Sequence, residues 1–364
     1  MRATLLGMLL LLVVPAATSA QAQAGIPIRA QRDTVGFAVN QSDMAAVLAA
    51  SLAAEGLAAD RTALPCVAAI LPHDDYLYAG RTAVQALPWL QAPRWVVIGV
   101  CHACRRVGVR DKLLFDDSDI WSVAGRDFTV DTELRADLAS RLGDRAEVAV
   151  ERQAVEHSVE ALLPWLDAAV DEPSFVSVLV AGMEPETLRE MASATATALA
   201  AICRERGWIP GRDLGILISA DAVHYGCEDW GGGGYAPFGC DAAGHAAGRA
   251  QDLTLAQATL AGPLTDAGVD SFIRLVWDPT HPDYPDYPYR ITWCGLYSIP
   301  FGLTVAMRLQ EELGAAPLAG ALLRYGDSVS DGRLELPATR LGVTAPNKLE
   351  HWVGYATVVY TPTR

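Results

Sequence analysis

The chain has 364 residues, of which 51% are hydrophobic and 20% are charged. This balance excludes a disordered or fibrous chain, and the length allows one large domain or two small ones. The 43 acidic residues outnumber the 28 basic ones, so the net charge is −15. Because such an acidic surface repels phosphate groups, we expect no nucleic-acid partner.

Residues 1–24 predict a cleavable signal peptide. Arg2 supplies a positive start, residues 5–14 are apolar, and Ala-Gln-Ala patterns that end at Ala22 and Ala24 offer cleavage sites. The apolar stretch is too short to span a bilayer, and no later segment is apolar enough. We therefore expect the mature chain, residues 25–364, to be periplasmic or secreted, without stable membrane insertion.

From residue 66 onward, short apolar runs alternate with amphipathic helical patterns. This order predicts a single α/β domain with a parallel or mixed central sheet flanked by helices. The predicted strands are residues 66–71, 95–99, 175–180, 214–218, 318–324 and 352–360. The predicted helices are residues 81–87, 131–142, 157–170, 185–206, 242–260, 264–275 and 302–313. The four glycines at 231–234 and the proline-rich stretch 278–288 predict loops, either plain surface loops or pocket lids.

Three polar residues follow predicted strands directly: His73, His102 and Asp221. Ligands of open α/β sheets bind beyond the carboxyl ends of the strands, so parallel strands would bring the three to one rim. His224 comes three residues after Asp221, and one turn would return it to the same place. A lone histidine has an ordinary structural explanation, but this combination favours a metal site. Imidazole suits zinc, copper and iron alike, so the pattern does not choose the metal.

Two other motifs carry weaker signals. Glu156, in Glu-His-Ser, is either part of a site or a solvated residue at a helix start. Cys101 and Cys104 form a Cys-x-x-Cys, which in a reducing compartment would indicate redox chemistry or zinc. In an exported chain it predicts a local disulfide or two unrelated thiols. The chain has neither a phosphate-binding P-loop nor a Gly-x-Ser-x-Gly elbow, so nucleotide binding and serine-hydrolase chemistry are unsupported.

Five motifs, in order, resemble those of the Memo family, also called AmmeMemoRadiSam system protein B. The resemblance covers residues 35–360. The motifs are Pro72-His73-Asp74-Asp75-Tyr76-x-Tyr78-x-Gly80, Ile98-Gly99-x-x-His102, Glu156-His157-Ser158-Val159-Glu160-x-x-x-Pro164-x-Leu166, Ser219-Ala220-Asp221-x-x-His224-Tyr225-Gly226 and Cys294-Gly295.

The resemblance implies a fold similar to the class III extradiol ring-cleaving dioxygenases, in which two histidines and a carboxylate hold Fe(II). When the site residues of the family are matched to this sequence, the resemblance implies that His73, His102 and Cys294 bind one Fe(II) or copper ion per chain. It also implies that His224 is the acid/base histidine. Asp221 and His157 would then line the site. A thiolate in place of the carboxylate is a softer ligand and favours copper, especially Cu(I).

We therefore expect an exported metalloprotein that catalyses O₂-dependent oxidation of a small substrate, with aromatic compounds among the candidates. The alternative is a non-enzymatic copper-binding or redox-handling protein of the cell envelope; a third reading is a metal-free scaffold for a partner.

Seven cysteines are an odd number, so at least one is free, metal-bound or paired outside the chain. With Cys294 as a ligand, one of the 15 possible pairings of the other six joins Cys101 to Cys104 and Cys227 to Cys240. That pairing leaves Cys66 and Cys203 over.

Overall fold

The computed structural model describes residues 27–59, 61–228 and 234–363. The predicted signal peptide and most of the four-glycine run lie outside these residues. The strands are β1 (Ile28–Ala30), β2 (Ala68–Leu71), β3 (Arg94–Val100), β4 (Leu113–Phe115), β5 (Ile120–Val123), β6 (Arg126–Val130), β7 (Ala146–Val148), β8 (Ser174–Val180), β9 (Gly215–Ser219), β10 (His224–Tyr225), β11 (Gly262–Pro263), β12 (Leu318–Asp327) and β13 (Trp352–Pro362). The helices are α1 (Gln41–Ala54), α2 (Tyr76–Ala83), α3 (Thr132–Leu142), α4 (Val150–Ala154), α5 (Leu163–Ala169), α6 (Pro185–Arg206), α7 (Ala242–Leu260), α8 (Asp266–Val276) and α9 (Ser298–Leu313). Short 3₁₀ turns cover Val84–Trp89, Arg105–Val107, Gly143–Arg145, Glu160–Leu162 and Cys294–Leu296.

The strands form a large mixed sheet, which confirms the predicted α/β class. Its main path runs β1-β5-β6-β8-β3-β9-β2-β13-β12-β11. In the centre, β8, β3, β9 and β2 are all parallel neighbours, whereas β13 pairs antiparallel with both β2 and β12. The carboxyl ends of β3, β9 and β2 therefore lie side by side.

Both faces of the sheet are covered, which explains why the central strands are continuous apolar runs. On β3, Val96 and Ile98 belong to the hydrophobic cluster that includes residues of α6 and α9. Trp95 and Val97 point to the opposite cluster, which includes residues of α1 and α5. The sheet is thus the middle layer between two helical layers.

Helix α9 approaches the sheet closely at a glycine. A Cβ added at Gly302 would lie 2.5 Å from Cγ1 of Ile218 on β9, closer than real Cβ contacts come. The absence of a side chain at this position lets the helix that follows Cys294 pack directly on the central strands.

Three predicted helices begin elsewhere than expected. Helix α9 starts at Ser298 rather than residue 302. Helix α2 starts at Tyr76 rather than residue 81, and the main-chain N–H of Ala79 already donates to the carbonyl oxygen of Asp75. The segment predicted as a helix from residue 157 instead begins with the 3₁₀ turn at Glu160, because the Glu156 carboxylate accepts hydrogen bonds from the main-chain N–H groups of His157 and Ser158. Helix α1 and the β5–β6 hairpin were not predicted. In the described part of the chain, no helix combines the length and apolarity needed to cross a bilayer.

Candidate metal centre

The carboxyl rim of the central sheet gathers the residues that the sequence placed after strands. His73, His102 and Asp221 each lie two residues beyond the end of β2, β3 and β9, respectively. Because these strands are parallel neighbours, the three side chains share one rim, as predicted.

Cys294 reaches the same rim from the other side of the fold. Main-chain pairing joins the residues after β9 to the segment just before Cys294: Val223 bridges Trp293, and the N–H of His224 donates to Thr292 O. The 3₁₀ turn at Cys294–Leu296 then leads into α9. This pairing brings the Cys294 thiol close to His73 and His102, although it lies far from both in the sequence.

The rings of His73 and His102 converge on the Cys294 Sγ atom. It lies 3.1 Å from Nε2 of His102 and 3.4 Å from Nε2 of His73. Metal–nitrogen and metal–sulfur bonds of about 2.0–2.3 Å place such atoms roughly 3.1–3.6 Å apart for ligand angles between 90° and tetrahedral. Both nitrogen–sulfur distances therefore suit ligands of one bound ion. Asp221 adds an oxygen 3.4 Å from Nε2 of His73.

His73 is held in the tautomer that a metal ligand needs. Its Nδ1 lies 2.8 Å from the Ser219 hydroxyl, and that hydroxyl donates its own proton to the carbonyl oxygen of Ser158. The hydroxyl can therefore only accept from Nδ1–H, so that in the neutral ring the Nε2 lone pair faces Cys294. The main-chain N–H of His73 donates to Asp221 Oδ1, which fixes the loop.

His102 is oriented in the same way by a buried carboxylate. Its Nδ1 donates to Oε1 of Glu156 at 2.8 Å, while Nε2 faces Cys294. Glu156 is 2% exposed and also accepts from the main-chain N–H groups of His102, His157 and Ser158. Glu156 is therefore part of the site and not a solvated helix-start residue.

These outer partners form one continuous set of hydrogen bonds, which we call the support network. It runs from His73 through Ser219 to the carbonyl of Ser158, and from the N–H of Ser158 through Glu156 to His102. Hydrogen bonds of this kind orient metal-binding histidines and raise their basicity.

The charged forms of Cys294, His73 and His102 stabilise one another in the metal-free chain. Burial opposes the thiolate, but the positive charges of His102 and His73 outweigh it and hold the pKa of Cys294 well below its usual value. Burial also disfavours charged imidazoles, yet Asp221 and Cys294 raise the pKa of His73 to about 8, and Glu156 and Cys294 raise the pKa of His102 well above normal. Cys294 is thus held as the thiolate, the form that binds metals.

The other predicted site residues surround this cluster. The ring of His157 stacks on that of His102 at 4.9 Å, and its Nδ1 lies 3.2 Å from a carboxylate oxygen of Asp33. Burial and the charge of His102 lower the pKa of His157 to about 3, which makes it a neutral imidazole. Its ligand atom lies within 4.8 Å of those of His73 and His102, and these three histidines form one possible donor group, whereas His73, Asp221 and Cys294 form another.

Asp221 and His224 face each other beside Cys294. Nε2 of His224 lies 3.9 Å from Oδ2 of Asp221. Burial raises the pKa of Asp221 to about 6 against the opposing charge of His73. For His224, the hydrogen bond to Cys294 outweighs burial and raises the pKa. His224 also lines a cavity of about 240 Å³ together with His102 and Cys294.

The cysteine pairing raised by the sequence is confirmed. Disulfides join Cys101 to Cys104, on either side of His102, and Cys227 to Cys240. The free cysteines are Cys66, Cys203 and Cys294, of which the first two are buried. The Cys-x-x-Cys motif is therefore a local disulfide.

The supporting roles of Ser158, Ser219 and Asp33 were not predicted. Both serines belong to motifs that carry the family resemblance, next to His157 and at the end of β9, and this was the available signal. Asp33 lies in the segment between β1 and α1 that no pattern distinguished.

Fold and site together define an α/β protein with a histidine–histidine–thiolate set at the carboxyl rim of its sheet. The sequence profile of the family described as "Memo-like protein" matches residues 37–254, more than half of the chain. The chain therefore belongs to the Memo family. The matched range includes His73, His102, His157, Asp221 and His224, whereas Cys294 lies beyond it.

Curated relatives agree with this assignment. The chain is 28% identical over 169 residues to a "MEMO1 family protein" of Archaeoglobus fulgidus, a match that covers 46% of this chain and 58% of that protein. It is also 28% identical over 160 residues to a "MEMO1 family protein" of Methanococcoides burtonii, covering 44% and 55%. The chain thus spans little more than half the length of the relatives it matches.

Proposed function

We propose that this protein is an exported Memo-type metalloprotein that holds one Fe(II) or copper ion and oxidises a small substrate with O₂. The observation that carries the proposal is the convergence of two oriented imidazole nitrogens on the Cys294 thiolate beside a cavity. His73, His102 and Cys294 would hold the ion, which supplies a redox centre with positions open to O₂ or substrate. Asp221 and His157 are the additional donors within reach.

His224 is the proposed proton-transfer group. It lines the cavity, lies beside Asp221, and has a pKa that the hydrogen bond to Cys294 raises against burial, which favours the protonated imidazole. We expect the His224→Ala variant to keep its metal and lose oxygen consumption. Unchanged oxygen consumption in a metal-loaded variant would remove His224 from the reaction.

Metal content tests the centre itself. The protein is purified without oxygen and its metals are measured by mass spectrometry, beside His73→Ala, Cys294→Ala and Cys203→Ala. Cys203 is buried in α6, away from the cluster, and serves as the matched cysteine control. We expect about one iron or copper per chain in the wild type and the control, and none in the other two. A wild type that holds no metal even after reconstitution would refute the proposal.

A non-enzymatic copper-binding protein of the cell envelope is the second candidate. Cys294 favours it, because a thiolate with two imidazoles is a soft donor set that suits Cu(I). Tight Cu(I) binding without oxygen consumption, across a panel of small reductants, would select this candidate over the oxidase.

Export is the third part of the proposal. The predicted signal peptide supports it, and so do two disulfides, which persist in oxidising compartments. Cell fractionation followed by mass spectrometry of the amino terminus should find the chain outside the cytoplasm, beginning after Ala22 or Ala24. A full-length chain in the cytoplasm would contradict it.

A further inference from the structure

The cavity beside the metal centre has the size of a one-ring ligand. Its volume is about 240 Å³, and its wall includes His102, His224 and Cys294. Pockets for larger, drug-sized ligands run from roughly 300 to 1,000 Å³. A molecule that fills this cavity therefore lies against the proposed ligand residues.

The cavity wall carries positive charge in a strongly acidic protein. Among the described residues, three arginines line it, Arg105, Arg106 and Arg110, together with two acidic residues, Glu228 and Asp286, and the Cys294 thiol. Glu228 is paired with Lys348 at 2.6 Å, and Arg110 is paired with Glu184 at 3.5 Å. The chain as a whole has a net charge of −15, so a cavity wall with three guanidinium groups differs from the average surface. Guanidinium groups bind carboxylate and phosphate oxygens in preference to neutral groups.

The remainder of the wall is aromatic. Four tyrosines line the cavity, and two of them, Tyr287 and Tyr289, have ring centroids 4.8 Å apart. Arg105 lies over the Tyr287 ring at 5.4 Å, so the charged and aromatic parts of the wall adjoin. The others are Tyr235 and Tyr297. Flat apolar ligands gain from contact with such rings.

Covalent and main-chain bonds tie the arginines to the metal centre. The Cys101–Cys104 disulfide closes the turn that carries His102, and the 3₁₀ turn Arg105–Val107 follows at once. Arg110 is anchored separately, by donating to the carbonyl oxygen of Pro285 in the proline-rich loop. The main-chain positions of Arg105 and Arg106 relative to His102 are therefore set by the fold.

We propose that this cavity binds a single-ring aromatic anion, with Arg105 and Arg106 holding the anionic group and the tyrosines holding the ring. The inference rests on the proposed function in one respect: this ligand would be the substrate presented to the metal.

Calorimetric titration with matched small molecules tests the proposal. Benzoate is compared with benzamide, its neutral isostere, and with acetate, which lacks the ring; phenyl phosphate separates a phosphate ester from a carboxylate. We expect benzoate or phenyl phosphate to bind at least tenfold more tightly than benzamide and acetate. If benzoate binds more tightly, the cavity prefers a carboxylate; if phenyl phosphate does, it prefers a phosphate ester. Equal binding of benzoate, phenyl phosphate and benzamide would overturn the proposal.

Variants assign the effect to the arginines. The Arg105→Gln/Arg106→Gln double variant should lose most of the preference for the anion. Arg145→Gln, exposed and outside the cavity, should keep it and controls for the loss of charge. An unchanged preference in a folded double variant would overturn the assignment. The comparison of benzoate with benzamide in the wild type needs no variant, so it decides even if the double variant fails to fold.

Chelator-treated protein separates this inference from the proposed function. Because the arginines hold the anion, the preference should persist after the metal is removed. If both the chelator-treated and the untreated protein prefer the anion over benzamide, the inference is supported, whatever the result of the metal-content experiment. A preference confined to the metal-loaded form would mean that the metal binds the oxyanion, and would overturn it.

Discussion

Replacement of Glu156 by glutamine should weaken metal binding without altering the ligands themselves. The carboxylate accepts four hydrogen bonds, three at Oε1 and one at Oε2. Glutamine keeps one oxygen, and its least costly orientation places the oxygen where the three bonds are made. The amide nitrogen then faces the main-chain N–H of His102, and the negative charge behind the imidazole is lost.

The magnitude follows from these losses. A buried donor left without a partner costs about 1–3 kcal/mol, and loss of an outer partner of a metal-binding histidine weakens metal affinity by roughly 10–100-fold. We therefore expect Glu156→Gln to bind its metal roughly 10–100-fold more weakly than the wild type, which is about 1.4–2.7 kcal/mol.

Competition with a chelator of known affinity measures this change. Glu151→Gln is the matched control, because Glu151 is an exposed residue of the neighbouring helix α4. Circular dichroism establishes that both variants are folded. Wild-type affinity in a folded Glu156→Gln variant would refute the view that the support network holds His102 for the metal.

Three further outcomes are expected. Metal affinity should rise between pH 6 and 8, because the pKa of His73 is about 8 in the metal-free chain and its proton competes with the metal below that pH; chelator competition at three pH values checks this, and a flat profile contradicts it. Loss of the second disulfide in Cys227→Ser/Cys240→Ser should lower the free energy of unfolding by about 3 kcal/mol in denaturant titrations, since it closes a loop of 13-residue separation; an unchanged midpoint would argue against it. Gly302→Val should destabilise the fold by about 1–3 kcal/mol, because the added carbons meet Ile218, and a wild-type melting temperature would contradict the close packing of α9.

Much of the fold was predictable because its central elements obey simple periodicities. The predicted bounds of α6, Pro185–Arg206, and of α7, Ala242–Leu260, agree with the structure. Helix α1 escaped prediction because its run of alanines has no distinct apolar face. The start of α2 at Tyr76 escaped it as well, because its first five residues are all buried and only Arg81 marks a polar side.

The site was predictable where it depends on strand direction and unpredictable where it depends on long-range contacts. His73, His102 and Asp221 follow from parallel strands that end together. Cys294 follows no central strand, and only the resemblance indicated it. Glu156 was undervalued because a glutamate before His-Ser has the pattern of a solvated helix start, and its burial depends on β3 and the loop after it.

The support network makes the two ligand histidines energetically interdependent. Ser158 contributes its carbonyl to the His73 side and its N–H to the His102 side, so a shift of this one residue disturbs both. Substitutions at Ser219 and Glu156 should therefore be non-additive in double-mutant cycles, although they touch different histidines. Whether a substitution at Ser219 is tolerated therefore depends on which residue stands at position 156, and the reverse also holds. We expect substitutions at these two positions to occur together when related sequences diverge.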